Sequence, residues 1–390
     1  MSSKLTDLME ENGIMHFTIS NTDVSYVNAL RRTIISDIPI TAFKTAPYAE
    51  NKSIIFANTS RLNNEIIKQR LSCIPICIPD IDASIKNYLL EVDVENNTDT
   101  IMYVTTKDFR IRDITTNNFL EQGVVKKIFP PYIPPSGNGE YYIDFLRLRP
   151  KISDKIPGEK IKLTCEFSVD TARVDSVYNV TGTCSYGCTP NIEAIEQQLE
   201  IRKQKWKDEG KTAPEIDFEA KNWRLLEALR YVKARSFDFV LESVGIYDNS
   251  DIIIKACDIL LHKFEILNNS LEQDAVEIKA SINTMENCYD ITLVNEDYTV
   301  GNILNHILYT IFYASDPKTG LANADYFKML DYVGFKKFHP HDTESIIRVC
   351  LTDKTKGKSL VKSILKGSIK EANEKLESIK GLFNGSRKSK

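Results

Sequence analysis

Phe17-Thr18-Ile19-Ser20-Asn21-Thr22-Asp23-Val24-Ser25-Tyr26-Val27-Asn28-Ala29-Leu30 returns 274 positions later (Phe17 to Ile291) as Ile291-Thr292-Leu293-Val294-Asn295-Glu296-Asp297-Tyr298-Thr299-Val300-Gly301-Asn302-Ile303-Leu304. The two copies register without a gap. Thr18, Asn21, Asp23, Asn28 and Leu30 meet identical residues at Thr292, Asn295, Asp297, Asn302 and Leu304, and Ser25 meets Thr299. Each copy opens with a short apolar–polar alternation of the β type. A knot of Asn, Asp and a hydroxyl follows. Such side chains accept hydrogen bonds from the free N–H groups of a helix's first turn, so a helix is expected to start there in both copies. In the second copy Val300, Ile303, Leu304, Ile307, Leu308 and Ile311 recur at helical spacing. The matching stripe in the first copy is Tyr26, Ala29, Leu30, Thr33 and Ile34, widened by Val24 and Val27. One face of each helix is apolar and must be covered.

Solenoid repeats recur every few tens of residues, far less than this separation. The copies are therefore read as two related half-units in one chain, which usually associate through equivalent surfaces about a two-fold axis. Chance similarity of two capped amphipathic helices is the other reading, because such caps are common. Pairing of the half-units is expected through Tyr26, Ala29, Leu30 and Ile34 on one side and Val300, Ile303, Leu304, Ile307 and Leu308 on the other.

The same stretch carries a family resemblance. Asn28-Ala29-Leu30-Arg31-Arg32, followed by Ile38-Pro39, resembles the motif that opens the bacterial RNA polymerase alpha subunit and the third-largest subunit of eukaryotic and archaeal polymerases. The second copy resembles the smaller eleventh subunit, which pairs with the third. Thr59 to Leu71, a short capped helix ending in Arg70-Leu71 and followed by Ser72-Cys73-Ile74-Pro75-Ile76, is similar to a second signature of the third subunit. A chain with both subunits in tandem resembles the fused form of some large DNA viruses of eukaryotes. The resemblance covers nearly the whole chain except roughly 190–234.

What the resemblance implies is specific. The fold would be α+β, with two alpha-subunit-like dimerisation half-units packed as an intramolecular pseudo-dimer rather than a homodimer. The first half-unit, 1–44 with 235–270, would be interrupted by a β-rich inserted domain at 45–234. A linker at 271–285 would lead to the second half-unit, 286–383, and a disordered tail would follow at 384–390. The chain would be a non-catalytic assembly platform for transcription. It would gather the largest and second-largest polymerase subunits and join small assembly subunits. Arg31 and Arg32 would dock a large subunit, since rigid guanidinium groups suit carboxylates and backbone carbonyls. Their other reading is local, because positive charge near a helix C-terminus suits the dipole. The expected setting is intracellular, at a viral replication site in cytoplasm or nucleus, with packaging in the virion as a further expectation.

Composition sets bounds on these readings. At 390 residues the chain is too long for one ordinary core. Apolar residues make up 42% and charged ones 27%, which is globular. A net charge of -4 disfavours direct base-specific nucleic-acid binding. No apolar run reaches the length of a membrane span, and the N-terminal residues lack the apolar core of a signal peptide. Eight scattered cysteines fit a reducing compartment and mostly buried thiols.

Between the copies, residues 85–180 read as β-rich. Tyr88–Val94 and Ile101–Thr106 are candidate strands around a turn at Asn96–Asp99. Phe145–Pro150 and Gly158–Glu166 resemble the pair of strands that closes the family's inserted domain. Residues 190–234 form a charged helical arm whose Trp206 and Trp223 are either core or partner anchors. Ser236–Gly245 alternates strictly, as a half-buried strand does.

Candidate chemistry is sparse. Cys73 with Cys77 and Cys184 with Cys188 are the close cysteine pairs, and two pairs could in principle build a thiolate zinc site. Their spacing is wrong for a zinc knuckle, and the cysteine cluster of the eukaryotic third subunit has no counterpart between Ile81 and Lys107. No metal and no cofactor are expected. The competing reading is a two-domain metal-dependent enzyme using Cys184, Cys188 and His339. Asp80 with Asp82 reads as a solvated turn. There is no glycine-rich phosphate loop, nucleophile elbow or two-metal acidic triplet.

Overall fold

In the computed structural model, residues 2–79, 81, 83–153, 155–282, 285–313 and 329–384 are described. Of the tail expected at 384–390, Asn384 ends the last helix and 385–390 lie outside them, as does the acidic pair Asp80 and Asp82. The chain opens with a hairpin, β1 (Lys4–Glu11) and β2 (Ile14–Ser20), and runs directly into α1 (Val24–Ser36). Pro39 follows closely and disfavours continuation of the helix. Next come β3 (Ile40–Ala42), β4 (Ser53–Asn58) and α2 (Asn64–Ser72), the last capped by the Asn63 side chain, which accepts from the Ile66 N–H. The β-rich stretch holds β5 (Tyr88–Glu95), β6 (Met102–Thr105), β7 (Arg110–Asp113), β8 (Asn118–Phe119), α3 (Gln122–Ile128), β9 (Asp144–Leu148), β10 (Lys160–Glu166) and β11 (Ser168–Asp170). Then follow β12 (Thr181–Pro190), α4 (Ile192–Asp208), α5 (Ala213–Leu225), β13 (Val232–Ser243) and α6 (Asn249–Glu272). The chain ends with β14 (Ile278–Ala280), β15 (Cys288–Val294), α7 (Tyr298–Ile307), a π-helical turn Leu308–Tyr313, β16 (Leu330–Lys336), β17 (Glu344–Leu351) and α8 (Lys358–Asn384). Helix and strand are thus mixed, as in an α+β fold. Among the described residues no helix is long and apolar enough to cross a membrane.

Two compact units divide the chain. The first comprises Met1–Thr33, Thr183–Glu242 and Ile253–Lys390, the second Ile34–Gly182 and Ser243–Ile252. The first contains two four-stranded antiparallel sheets, ordered β1-β2-β13-β12 and β14-β15-β17-β16. Phe239 pairs with Phe17 across β13 and β2, and their rings stack at 4.9 Å. Phe383, near the end of α8, meets Phe17 edge-on at 5.2 Å. Such offset and edge contacts suit aromatic quadrupoles and add to the burial itself. Helix α7 lies against β16, β17 and α8.

The second unit holds a five-stranded sheet, β4-β10-β5-β7-β8, and two ribbons, β11-β3 and β6-β9. Its core gathers Phe43, Phe109, Phe129 and Phe145 with Leu90, Val92 and Leu163. The pairing differs from the expected hairpin of Tyr88–Val94 with Ile101–Thr106, because β5 pairs with β10 and β7 while β6 pairs with β9. Where the two strands diverge, the buried Asn96 amide donates to the carbonyls of Thr100 and Leu148 and ties the turn to the β6–β9 ribbon. The strands β9 and β10 likewise fall in different sheets.

The unit boundaries also depart from the expected 45–234 insertion. Residues 183–242 group with the first unit because β12 and β13 continue the sheet of β1 and β2. The helical arm is part of that grouping and has a small core of its own, Leu199, Trp206, Ile216 and Trp223. Both tryptophans are inside it, so they do not serve as exposed anchors.

Candidate functional site

The repeated stretch forms the same local structure twice. Asn21 and Asn295 both take left-handed backbone, each with φ 58°. Asn tolerates that conformation better than most side chains because its short amide bonds locally. Two residues on, Asp23 Oδ1 accepts from the Ser25 N–H and Asp297 Oδ1 from the Thr299 N–H, both at 2.9 Å. Asn sets the turn and Asp caps the helix, a division of labour that the sequence reading merged into one polar knot.

The caps are also linked across the two copies. Arg32, in the last part of α1, donates through Nη2 to Asp297 Oδ2 at 2.7 Å and through Nε to Thr299 Oγ1 at 3.0 Å. His306, near the end of α7, has Nδ1 3.4 Å from Asp23 Oδ1. Arg32 and His306 occupy equivalent positions 274 residues apart, as do Asp23 and Asp297. Each helix therefore brings the basic residue of its C-terminal part to the capping aspartate of the other. The contact is reciprocal, and the helices run antiparallel along it. Charge placement is favourable at three of the four ends, because the two carboxylates suit helix N-termini and the Arg32 cation suits the C-terminal part of α1. Tyr26 meets the His306 ring edge-on at 6.5 Å.

Beside this clasp is a polar cavity of about 300 Å³ lined by Asp23, Ser25, Asn28, Asn302, Asn305 and His306. Ser25 Oγ and Asn305 Oδ1 are buried there without a hydrogen-bond partner. Burial pushes the His306 pKa below the usual imidazole range. Arg235 and Lys375 act in the same direction, and Asp23 opposes them. Burial, with Glu371 and Asp23, raises the Tyr26 phenol. Lys375 of α8, itself lowered by burial and by Arg235, donates to the Asn21 carbonyl at 2.6 Å.

The expected pairing residues are all inside. Tyr26, Ala29, Leu30, Ile34, Val300, Ile303, Leu304, Ile307 and Leu308 are buried. Val24, expected to widen the first stripe, is instead 47% exposed. Ile311 is only half-buried, and Phe312 takes its place. The π-helical turn from Leu308 explains that shift, since its wider winding advances the buried phase by a residue. The described contacts between α1 and α7 sit at the helix ends, while the stripe of α7 faces β16, β17 and α8.

The two arginines part company. Arg32 is committed to Asp297 within the chain, which departs from a pair that both face a partner. Arg31 is half-buried, donates to Asn28 Oδ1 at 3.1 and 3.0 Å, and keeps its charge without a carboxylate among the described residues. Asp23, Asp297 and His306 were missed as contact residues. The signal lay in the alignment of Arg32 with His306 as two basic residues.

The residues of the enzyme reading are not assembled into a centre. Cys184 and Cys188 lie four residues apart on β12, roughly 13 Å at the rise of a strand, too far to ligate one ion. Cys184 is buried and its thiol is pushed up to about 12 by that burial, whereas Cys188 is exposed. The His339 ring meets that of His341 edge-on at 5.0 Å, its Nδ1 accepts from the His341 backbone N–H, and the His339 backbone N–H donates to Asp342. Cys73 is exposed just after α2, and burial raises the Cys77 thiol. Among the described residues no three His, Cys, Asp or Glu side chains form a metal-holding group.

Comparison with known proteins adds a family. The RNA polymerase Rpb3/Rpb11 dimerisation domain matches residues 16–264, more than half of the chain. The chain is 24% identical over 205 residues to DNA-directed RNA polymerase II subunit rpb3 of Dictyostelium discoideum, covering 50% of this chain and 62% of that one. It is 24% identical over 305 residues to the human DNA-directed RNA polymerases I and III subunit RPAC1, covering 69% and 84%. Over 63 residues it is 41% identical to the Thermococcus kodakarensis DNA-directed RNA polymerase subunit Rpo3, covering 16% and 22%. The chain thus spans less than two thirds of the slime-mould and archaeal relatives. The family match stops before the second copy begins at Ile291.

Proposed function

The chain belongs to the RNA polymerase Rpb3/Rpb11 dimerisation-domain family, and from that membership we propose that it is a non-catalytic platform on which a multisubunit DNA-directed RNA polymerase assembles. Its two copies act as paired half-units, one resembling the third subunit and one the eleventh, so that the pair forms inside one chain. The observation that carries this reading is the reciprocal clasp of Arg32 on Asp297 and His306 on Asp23. Equivalent residues exchanging partners is what a two-fold association of related units produces, and chance similarity of two capped helices gives no reason for it.

In this reading the half-units comprise 1–44 with 235–270 and 286–383, and the second compact unit corresponds broadly to an insertion in the first. The composite surface gathers the largest and second-largest subunits, with small assembly subunits beside them. Arg31 is the docking residue, because it forms no ion pair among the described residues and interface arginines are frequent hot spots. Tandem half-units also fit the fused viral form and an intracellular viral site of transcription.

Co-expression with the second-largest polymerase subunit of the same source tests the proposal. Capture through this chain should retain that subunit, and Arg31→Ala should weaken retention while leaving the melting curve in place. Failure of the parent chain to retain it, with the fold intact, would overturn the platform reading. Undiminished retention by Arg31→Ala would remove only the docking role of Arg31.

A further inference from the structure

The second compact unit carries a basic cleft that helix pairing does not use. In its β6–β9 ribbon Tyr103 pairs with Arg147, and Arg147 stacks over the Tyr103 ring with its guanidinium 5.9 Å from the centroid. Helix α2 is fastened alongside. Arg70 Nε donates to the Phe145 carbonyl at 2.6 Å and Nη2 to the Asp144 carbonyl at 2.7 Å. The cavity between them is about 720 Å³ and is lined by Arg61, Arg70, Ile101, Tyr103, Arg147 and Arg149, with Asp144 and Glu159 among them.

The charge does not cancel. Glu159 is held by Arg149. Arg70 bonds to neutral carbonyls, which leave its charge in place. Arg61 and Arg147 form no ion pair among the described residues. Four guanidinium groups thus face two carboxylates, on a chain whose net charge is -4. Beside them, Ile101 is 57% exposed and Tyr103 53% exposed. Exposed apolar groups at the mouth of a charged cleft give an occupant more than charge to bind, because guanidinium groups take carboxylates in a fork geometry and an exposed ring takes an apolar side chain.

We propose that this cleft docks an acidic segment of a protein partner that carries an aromatic or aliphatic side chain among its carboxylates. Nucleic acid fits less well. A backbone needs a basic track that follows successive phosphates, whereas Asp144 and Glu159 interrupt the basic lining within one cleft. A small inorganic anion would leave Ile101 and Tyr103 without a role. The inference stands apart from the pairing of half-units, and a site in the second unit can be tested on the purified chain.

The probe is a short fluorescent peptide alternating glutamate with phenylalanine, titrated with the full chain and read by anisotropy. Control probes are the same peptide with glutamine for glutamate and a single-stranded oligonucleotide of similar charge. The acidic peptide should bind at least about tenfold more tightly than the glutamine control, and its binding should weaken as salt is raised. Arg61→Glu combined with Arg147→Glu should lower affinity about tenfold or more. Tyr103→Ala should lower it several-fold with the salt dependence retained. Melting curves accompany each variant, and Arg147→Gln supplies a milder change should the double reversal unfold. The proposal is overturned if the acidic peptide binds no better than its control or if no variant changes its binding. Tighter binding of the oligonucleotide through the same arginines would also overturn it.

Discussion

Asp23 and Asp297 each do two things. They cap the helix that follows them and face the basic side chain of the other copy, Asp297 accepting from Arg32 and Asp23 lying 3.4 Å from the His306 ring nitrogen. Arg32 and Arg31, adjacent in sequence, should therefore behave differently. Arg32→Ala leaves Asp297, whose side chain is only 15% exposed, without its guanidinium. A loss of about 1–2 kcal/mol of stability is expected, between that of a surface pair and a fully buried one. Arg31→Ala should cost less, about 0.5 kcal/mol, because the half-buried guanidinium gives up hydrogen bonds to a neutral amide rather than an ion pair. Denaturant melts of both variants check this, and equal effects would remove the distinction. The second arm of the clasp titrates. His306 has its folded pKa below the ordinary imidazole value, so the unfolded chain binds its proton first as pH falls. Its contribution is complete above the unfolded value of about 6.5 and is lost as pH falls through the lower folded value. Stability measured from pH 7.5 to 5 should decline, and His306→Asn should flatten part of that decline. A variant with an unchanged slope would assign the acid sensitivity elsewhere. At this scale the capping aspartates were legible because their chemistry is local. Their partners were not, since a basic residue near a helix end reads the same whether it faces solvent or another helix.

Element boundaries were legible where periodicity runs without interruption. The stripe of α7 follows helical spacing through Leu308, and the π-helical turn then replaces Ile311 with Phe312. A change of winding leaves no mark in composition, so the spacing pattern could not reveal it. Leu304 is fully buried in the middle of that stripe, where α7 packs on β16, β17 and α8. Leu304→Asp should cost several kcal/mol, because an unpaired carboxylate is forced into an apolar core. A soluble, monodisperse variant melting like the parent would contradict the packing. Gly301 supplies a second probe. A Cβ built there would lie 2.0 Å from Phe335 Cε2, so Gly301→Val should destabilise by about 1–3 kcal/mol through overpacking. Recovery in Gly301→Val with Phe335→Ala would identify the ring as the obstacle. The tryptophans of the arm show the opposite limit. A charged helix with a few apolar positions is consistent with an exposed anchor or a satellite core, and only the approach of α5 to α4 decides.

On the scale of the whole molecule, the repeat was legible because both copies keep their caps and stripes across an offset of 274 residues. The division into compact units was harder to read. Residues 235–242 were expected beside 1–44, but 183–234 join the first unit because β12 extends that sheet beyond β13, and no local pattern carries the pairing of β12 with β13 across the intervening arm. The β-rich character of the second unit was visible in its alternation, but its sheet order rests on pairings between strands far apart in sequence, such as β10 with β4 and β5. The central claim is that the two copies are partners of each other. A double-mutant cycle on Arg32 and Asp297 tests it most directly, using Arg32→Asp, Asp297→Arg and the exchanged pair in the full chain. The account predicts that each single reversal destabilises and that the exchange restores much of the loss, with a coupling of about 0.5–3 kcal/mol. Strictly additive losses, with the exchanged protein no more stable than the sum of the two reversals, would contradict it.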